Sequence, residues 1–489
     1  MTTNLIDSLE TFFNPSSVAV IGASNSFGTW GFGIMGRVSG GADTRKIYPV
    51  NNKASEIMGI KAYKSVTEIP DPIDLAVIVV PALHVPGVMQ ECADKGVKTA
   101  IVISSGFAEV DQSGRDMQYQ MVEIATQSGM RFAGPNSLGH LNPSARFSTL
   151  AWLSGIRSGS MGFISQSGTY GERILRGGTS AGIGCSKFIA SGNEANLRLE
   201  DYVEYLAQDK DTSVIAAYVE GIRDGRRFFT IAKEVTKKKP ILIMKSGRTQ
   251  EAAAAAKSHT SALAGSDAIH EAMFKQAGVI RVEDEDELFD AVALLVHVPL
   301  PRGRRIGILT EGGGIGVVAT DACVLEGLKL AALAPSTIDR MSSLLTSYWS
   351  HGNPADMTDA GGRNQAVIPC LEAMMDDDNV DMVMMIGGLG TGGILSSMFK
   401  IPSRMKDMVD QFLETMEKDE ENSLDNIKER VDRLQKPLVF CEIMRREDAP
   451  EPKIFDALRK KGIPVYQSPR RAARALSHLV WYKEYLDAK

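Results

Sequence analysis

The chain has 489 residues, 44% of them hydrophobic and 23% charged, and a net charge of −6. That length buries a large core in several domains, and an acidic balance with no basic tail argues against a nucleic-acid binder. Forty-six glycines beside only 7% aromatics fit a turn-rich α/β enzyme rather than a β-sandwich.

The N-terminus lacks the basic and apolar regions of a signal peptide, and no apolar run is long enough to cross a bilayer, so a cytoplasmic location without a membrane partner is expected. Cys92, Cys185, Cys323, Cys370 and Cys441 are dispersed without metal-ligand spacing. They read as buried thiols in a reducing compartment, with no metal site.

Apolar runs of strand length recur along the chain, each followed by a turn and a helical pattern. Val18–Gly22, Leu75–Val80 and Thr99–Ser104 form a first series. Gly162–Ser165, Val214–Val219 and Ile241–Lys245 form a second, and Arg305–Thr310, Val380–Ile386 and Pro437–Glu442 a third. Unbroken Val/Ile runs indicate strands buried on both faces, hence parallel sheets between helices. The expected fold is α/β with three doubly wound domains, at 8–142, 155–298 and 304–485. Breaks lie near 142–160 and at the Pro299–Arg305 linker. The charged stretch 403–435 reads as an exposed helix or an interaction surface.

The first strand runs into the glycine-rich turn Gly22–Gly28, with a helix expected around Gly33–Val38. Main-chain N–H groups there suit phosphate oxygens. The spacing is not a clean dinucleotide fingerprint, and the second strand ends in Asn51-Asn52-Lys53 where a dinucleotide enzyme places an acid. Lysine at that position points to a phosphorylated adenosine. Val79–Pro81, Ser104–Phe107 and Gly134–Gly139 end further strands, where open α/β sheets bind ligands. Candidate cofactor-binding residues are Gly22, Ser24, Phe27, Gly28, Asn51, Lys53, Pro81, Ser105 and Asn136. Later, Lys257–Asp267 sets one histidine, His259, among small residues, where a neutral imidazole can accept and carry a group.

The ordered set Gly22-Ala-Ser, Pro49-Val-Asn, Val80-Pro, Ser105-Gly-Phe and Gly134-Pro-Asn resembles the CoA-binding domain of the succinyl-CoA synthetase superfamily. It is most similar to the ADP-forming acyl-CoA synthetases, over about residues 8–485. The resemblance implies a Rossmann-like CoA-binding domain followed by two flavodoxin-like domains. It also implies an acid–CoA ligase that interconverts carboxylate, CoA and ATP with acyl-CoA, ADP and phosphate through acyl phosphate and phosphohistidine.

By the same resemblance, His259 in Ser258–Gly265 carries the phosphoryl group, and Glu220 in Tyr218–Ile222 holds its second ring nitrogen. Ser167 and Gly168 open a helix toward the phosphate, and Gly312, Gly313 and Gly314 of the third domain supply a second helix start. Asn353–Asp356 is a further family-like turn. No segment offers the ATP-grasp constellation that exchanges phosphate with ADP. The chain therefore resembles an alpha-type subunit of a hetero-oligomer, with ATP/ADP and Mg on a separate ATP-grasp beta-type partner.

Glu172, one turn into the helix after Ser167, is expected to disfavour a second substrate carboxylate, giving a monocarboxylic or hydroxy acid. The alternative for Glu172 is a pair with Arg173 or Arg176. Two other functions stay open: a nicotinamide-dependent oxidoreductase, against which Lys53 counts, and a non-catalytic CoA-binding protein, against which the Glu220–His259 pair counts.

Overall fold

The computed structural model describes residues 2–41, 44–252, 266–357, 366–390, 403–442 and 451–488. It divides into two compact units, Met1–Leu288 and Phe289–Lys489.

The first unit opens with the helix Thr2–Phe13 and strands β1 (Ser17–Ile21) and β2 (Lys46–Val50). A small antiparallel hairpin, β3 (Glu56–Ile57) and β4 (Ile60–Lys61), precedes β5 (Leu75–Ile78), β6 (Thr99–Val102) and β7 (Arg131–Ala133). Strands β2-β1-β5-β6-β7 form one parallel sheet in that order. Every residue of β1, β5 and β6 is buried, which is why these strands read as unbroken apolar runs.

A second sheet follows. Its strands are β8 (Gly139–Asn142), β9 (Phe147–Ser148), β10 (Ser158–Ser165), β11 (Cys185–Ala190), β12 (Val214–Val219), β13 (Ile241–Lys245) and β14 (Ile280–Val282). The order is β14-β13-β12-β10-β11-β8-β9, parallel except for β8 and β9, which close one edge antiparallel. Helices end and begin on expected chemistry. Gly96 and Gly129 terminate Val85–Lys95 and Gln112–Ser128 in left-handed conformation, and Asp111 caps the latter through Gly114 N–H at 2.8 Å.

The two sheets share one core. Leu9, Phe12 and Phe13 of the N-terminal helix pack with Val18 and Val20 of β1 and with Tyr202, Val203 and Leu206 of the helix Leu199–Gln208. Phe13 stacks on Tyr205 at 5.1 Å, and Tyr205 Oη donates to Glu10 Oε2 at 2.8 Å. The loop after β11 laces the sheets together. Asn193, Ala195 and Leu197 N–H groups donate to Pro135, Gly134 and Phe132 carbonyls at 2.9, 3.0 and 3.2 Å.

The second unit holds β15 (Arg305–Thr310), β16 (Lys329–Leu330), β17 (Ala355–Asp356), β18 (Met382–Ile386), β19 (Leu438–Cys441) and β20 (Val465–Tyr466). The parallel order is β16-β15-β18-β19-β20, with β17 also on β15. Buried clusters cover both faces, one around Leu309, Met374 and Leu458, the other around Ile308, Cys323 and Leu476. The charged stretch forms the helix Lys406–Leu434, which buries Leu424, Ile427 and Val431 and leaves Met408 and Phe412 exposed. All five cysteines are buried and free. Among the described residues no helix is long and apolar enough to cross a membrane.

Gly192 sits where the lacing loop crosses the first sheet. Its φ is +62°, and an added Cβ would lie 2.4 Å from Pro135 O. Gly192→Ala should therefore cost about 1–3 kcal/mol through strain and clash, read as a lowered thermal midpoint. An unchanged midpoint would mean that the two sheets are held elsewhere.

Candidate functional site

The strand order of the first sheet reverses between β1 and β5, and that of the second between β10 and β12. At such a switch the turns leave in opposite directions and open a crevice beyond the strand ends. Here the two crevices are one. A cleft of about 840 Å³ is lined by Gly22 and Ser24 after β1, Val79–Ala82 after β5, Ile103–Ser105 after β6 and Asn136–Leu138 after β7. From the second sheet it takes Gln166–Thr169 after β10, Gly192 and Asn193 after β11, and Glu220 after β12.

The first sheet presents a helix N-terminus. The helix Trp30–Ser39 starts earlier than the sequence indicates, capped by Thr29, whose side chain accepts from Phe32 N–H at 3.3 Å. Gly22 has φ +95°, and a Cβ there would sit 2.6 Å from Val79 O. A Cβ on Gly31 would lie 2.1 Å from Gly22 O. Two glycines nine residues apart thus let the helix start press against the strand end. The intervening Ala23–Gly28 loop arcs outward, and Phe27 is 86% exposed.

Five of the nine expected cofactor residues, Gly22, Ser24, Pro81, Ser105 and Asn136, line the cleft. Phe27, Gly28, Asn51 and Lys53 are not among its lining residues. Asn51 ties loops together instead. Its Nδ2 donates to Ala23 O at 2.8 Å, and its Oδ1 accepts from Lys53 and Ala54 N–H at 2.8 and 2.9 Å. The Lys53 side chain is exposed.

The second sheet presents another helix start. Ser167 caps Gly168–Ser180 by accepting from Tyr170 N–H at 3.4 Å. Ser167 and Gly168 therefore face the same cleft as Glu220, at a positive helix end. Glu220 is fixed through its main chain: Lys245 Nζ donates to its carbonyl at 2.8 Å, and its N–H donates to Gln166 Oε1 at 2.7 Å. His259 lies outside the described residues.

Sequence reasoning missed Gln166, Asn193 and Glu194. Gln166 Nε2 donates to Glu194 Oε1 at 3.1 Å, and Ser191 Oγ donates to the same oxygen at 2.8 Å. Glu194 is 3% exposed, and burial pushes its carboxyl up to about 7 against the bonds from Ser191 and Gln166. Asn193 Nδ2 donates to Glu109 Oε2 and to Gln118 Oε1. Burial works to raise the Glu109 carboxyl, but bonds from Gly106 N–H and Asn193 hold it below the usual range. Gln166 lies within Ser165–Thr169, the run that leads from a strand to the Ser167–Gly168 helix start, and the signal for Asn193 and Glu194 was the short run Ser191–Glu194 after an apolar strand.

Glu172 is not among the lining residues. Its carboxylate accepts from Arg176 Nη2 at 2.6 Å and Nε at 3.2 Å, one turn along the helix. In the second unit, Gly313 and Gly314 open the helix Gly313–Leu325, with Gly312 at its N-cap. A carboxylate stands close by: a Cβ on Gly313 would lie 3.1 Å from Asp356 Oδ2. Burial raises the neighbouring Glu311 carboxyl, opposed by a bond from Gly388 N–H. Among the described residues no group of three or more His, Cys, Asp and Glu is placed to hold a metal ion.

Two open α/β sheets whose switch points share a cleft lined by main-chain turns and two helix starts define a protein that binds an extended, phosphate-bearing ligand. The family models agree: a CoA binding domain matches residues 16–143, and a succinyl-CoA ligase like flavodoxin domain matches 158–295. The chain is 43% identical to the alpha subunit of acetate–CoA ligase (ADP-forming) II of Pyrococcus furiosus, over 77% of this chain and 82% of that protein. It is 38% identical to the alpha subunit of enzyme I of the same organism, over 97% and 98%. A solved acetyl-coenzyme A synthetase 1 of Ca. Korarchaeum cryptofilum, in complex with phosphate and ADP, superposes with a TM-score of 0.83 at 32% identity, covering 98% of each chain. The chain belongs to the ADP-forming acyl-CoA ligases, in the alpha-subunit family.

Two outcomes follow from the site geometry. Glu172→Ala should leave the acyl profile unchanged and cost no more than about 0.5 kcal/mol, as exposed i,i+4 pairs do. A changed profile would bring Glu172 into the substrate pocket. Glu194 carries a folded pKa of about 7 against an ordinary 4.5. A raised carboxyl pKa stabilises fully below the unfolded value and loses that stabilisation as pH rises through the folded one. The stability of wild type relative to Glu194→Gln should therefore fall between pH 4.5 and 7, by up to about 3 kcal/mol, measured by denaturant unfolding at each pH.

Proposed function

We propose that the shared cleft binds a CoA thioester and inorganic phosphate and that the chain runs the acyl-transfer half of the ligase reaction. A phosphate oxygen attacks the thioester carbonyl carbon. The C–S bond breaks, the thiolate takes a proton, and an acyl phosphate forms. A ring nitrogen of His259 then attacks phosphorus, the bond to the acyl oxygen breaks, and the carboxylate leaves. The N–P bond is finally exchanged onto ADP to give ATP. Glu220 orients the imidazole and stabilises its developing positive charge. The Ser167–Gly168 helix start steadies the phosphoryl group.

The observation that carries this reading is the meeting of Glu220 with Ser167 and Gly168 in the cleft that also takes the strand ends of the CoA-binding sheet. The exchange with ADP and Mg is assigned to an ATP-grasp beta-type partner. The domain limits 8–142, 155–298 and 304–485 and a cytoplasmic location, consistent with five free buried thiols, belong to the same proposal. So does contact of the exposed Phe27–Gly28 turn and Lys53 with the distal end of CoA.

The substrate is a monocarboxylic acid. Among the described residues lining the cleft Glu220 is the sole charged side chain, and its carboxylate disfavours a second substrate carboxylate close by. The related proteins named for acetate and for 4-hydroxybutyrate fit that class.

Incubating the chain with acetyl-, propionyl-, 4-hydroxybutyryl- or succinyl-CoA and labelled phosphate should give base-stable, acid-labile label, weakest with succinyl-CoA. His259→Ala should take none, and full labelling of that variant would remove His259 from the reaction. Glu220→Gln should keep CoA binding and lose label more than about tenfold. The isolated chain should make no ATP from acyl-CoA, ADP and phosphate, and robust synthesis by it would overturn the partner assignment.

A further inference from the structure

Gln166 is a cleft residue whose amide is saturated. Its Oε1 accepts from the N–H groups of Glu220 at 2.7 Å and Gly221 at 3.0 Å. Its Nε2 donates to Gly221 O at 2.8 Å and to Glu194 Oε1 at 3.1 Å. Four partners leave one orientation of the amide, with oxygen toward the Glu220 turn. The single partner outside that turn is Glu194.

Glu194 is an unusual residue to find there. It is 3% exposed, and its φ is +51°, the left-handed region that non-glycine residues seldom enter. Both burial and strain work against a carboxylate at this place, and such costs persist where the surroundings enforce them for a function. The enforcement is visible on both sides: Asn193 and Ala195 N–H groups hold Pro135 and Gly134 carbonyls, and Arg223 Nη2 donates to Asn193 O at 2.8 Å.

We propose that Glu194 is a positioning residue for the phosphoryl-transfer site, holding Glu220 in place through Gln166. The claim rests on the reading of Glu220 given above. Glu194 touches no substrate. Its Oε1 accepts from the Gln166 Nε2–H group and so anchors the amide outside the Glu220 turn, and the anchored amide sets the main chain at Glu220 and Gly221. An acceptor oxygen is what the device needs, and a negative charge is dispensable. Glutamine at 194 can therefore replace glutamate, and alanine cannot.

The test uses the full chain and the rate of base-stable label from labelled phosphate with acetyl-CoA, or with 4-hydroxybutyryl-CoA where that labels better. Glu194→Ala should label about 10–100-fold more slowly, the scale of a misplaced catalytic group. Its CoA dissociation constant by calorimetry should stay within about twofold. Glu194→Gln should recover most of the rate. Should Glu194→Ala fail to fold, the exchanged pair decides. Gln166→Glu alone removes the donor and should be slow, and Gln166→Glu with Glu194→Gln restores one donor and one acceptor and should be faster than Gln166→Glu. The inference is overturned if Glu194→Ala labels at the wild-type rate, if Glu194→Gln is as slow as alanine, if CoA binding falls in step with labelling, or if the exchanged pair gains nothing over Gln166→Glu. Absence of label in the wild type would instead overturn the phosphohistidine reading itself.

Discussion

Seven residues, Ser191–Leu197, hold the first unit in register. Their main chain hydrogen-bonds to Ser165 on one side and to Phe132, Gly134 and Pro135 on the other. Buried polar main chain must find partners, and here the partners of one sheet's loop are the strand-end carbonyls of the other. The side chains repeat the arrangement: Asn193 reaches Glu109 in the turn after β6 and Gln118 in the helix Gln112–Ser128, while Glu194 reaches Gln166 after β10 of its own sheet. Because the loop crosses at the strand ends, the constraint that joins the sheets also makes their two crevices into a single cleft.

The described lining of the cleft offers an anion polar partners but no formal positive charge. None of the described residues lining it is Lys, Arg or His, and the polar groups they offer are main-chain turns, hydroxyls, side-chain amides and two capped helix starts. Oriented N–H groups hold phosphate oxygens with little reorganisation. They do so without adding a formal charge of their own, as a lysine would. The one formal charge among the described lining residues is on Glu220, whose carbonyl accepts from Lys245 Nζ behind it.

Much of this was legible in the sequence. Val214–Val219, Ile241–Lys245 and Arg305–Thr310 are strands with the expected limits, because strands buried on both faces carry a continuous apolar signal. β11 was not legible. Lys187 interrupts it, and that lysine is 2% exposed only because Asp209 and Asp211 approach its Nζ at 3.3 and 3.1 Å. The two-residue strands β9, β16, β17 and β20 are too short to show a period. At the site, Gly22, Pro81, Ser105 and Asn136 were readable because a ligand cleft must lie at strand ends. The pairing of Gln166 with Glu194 and with the Glu220 turn was not, because these partners are 28 and 54 residues apart and only the fold brings them together. Lys53 followed from its place after β2, but the main-chain bond to Asn51 leaves its side chain outward.

The N-terminal helix has a consequence for how the chain comes off the ribosome. Phe12 and Phe13 are fully buried, and part of their cover, Tyr202, Tyr205 and Leu206, lies almost two hundred residues downstream. Domains fold as they emerge, N-terminal first. The first sheet can pair its strands early, but the inner face of its leading helix is only partly covered until Leu199–Gln208 has been synthesised. The CoA-binding sheet is thus a module by topology more than by folding: a polypeptide cut after β7 would leave two phenylalanines partly open to water, and a ribosome paused in that interval would hold a more aggregation-prone nascent chain.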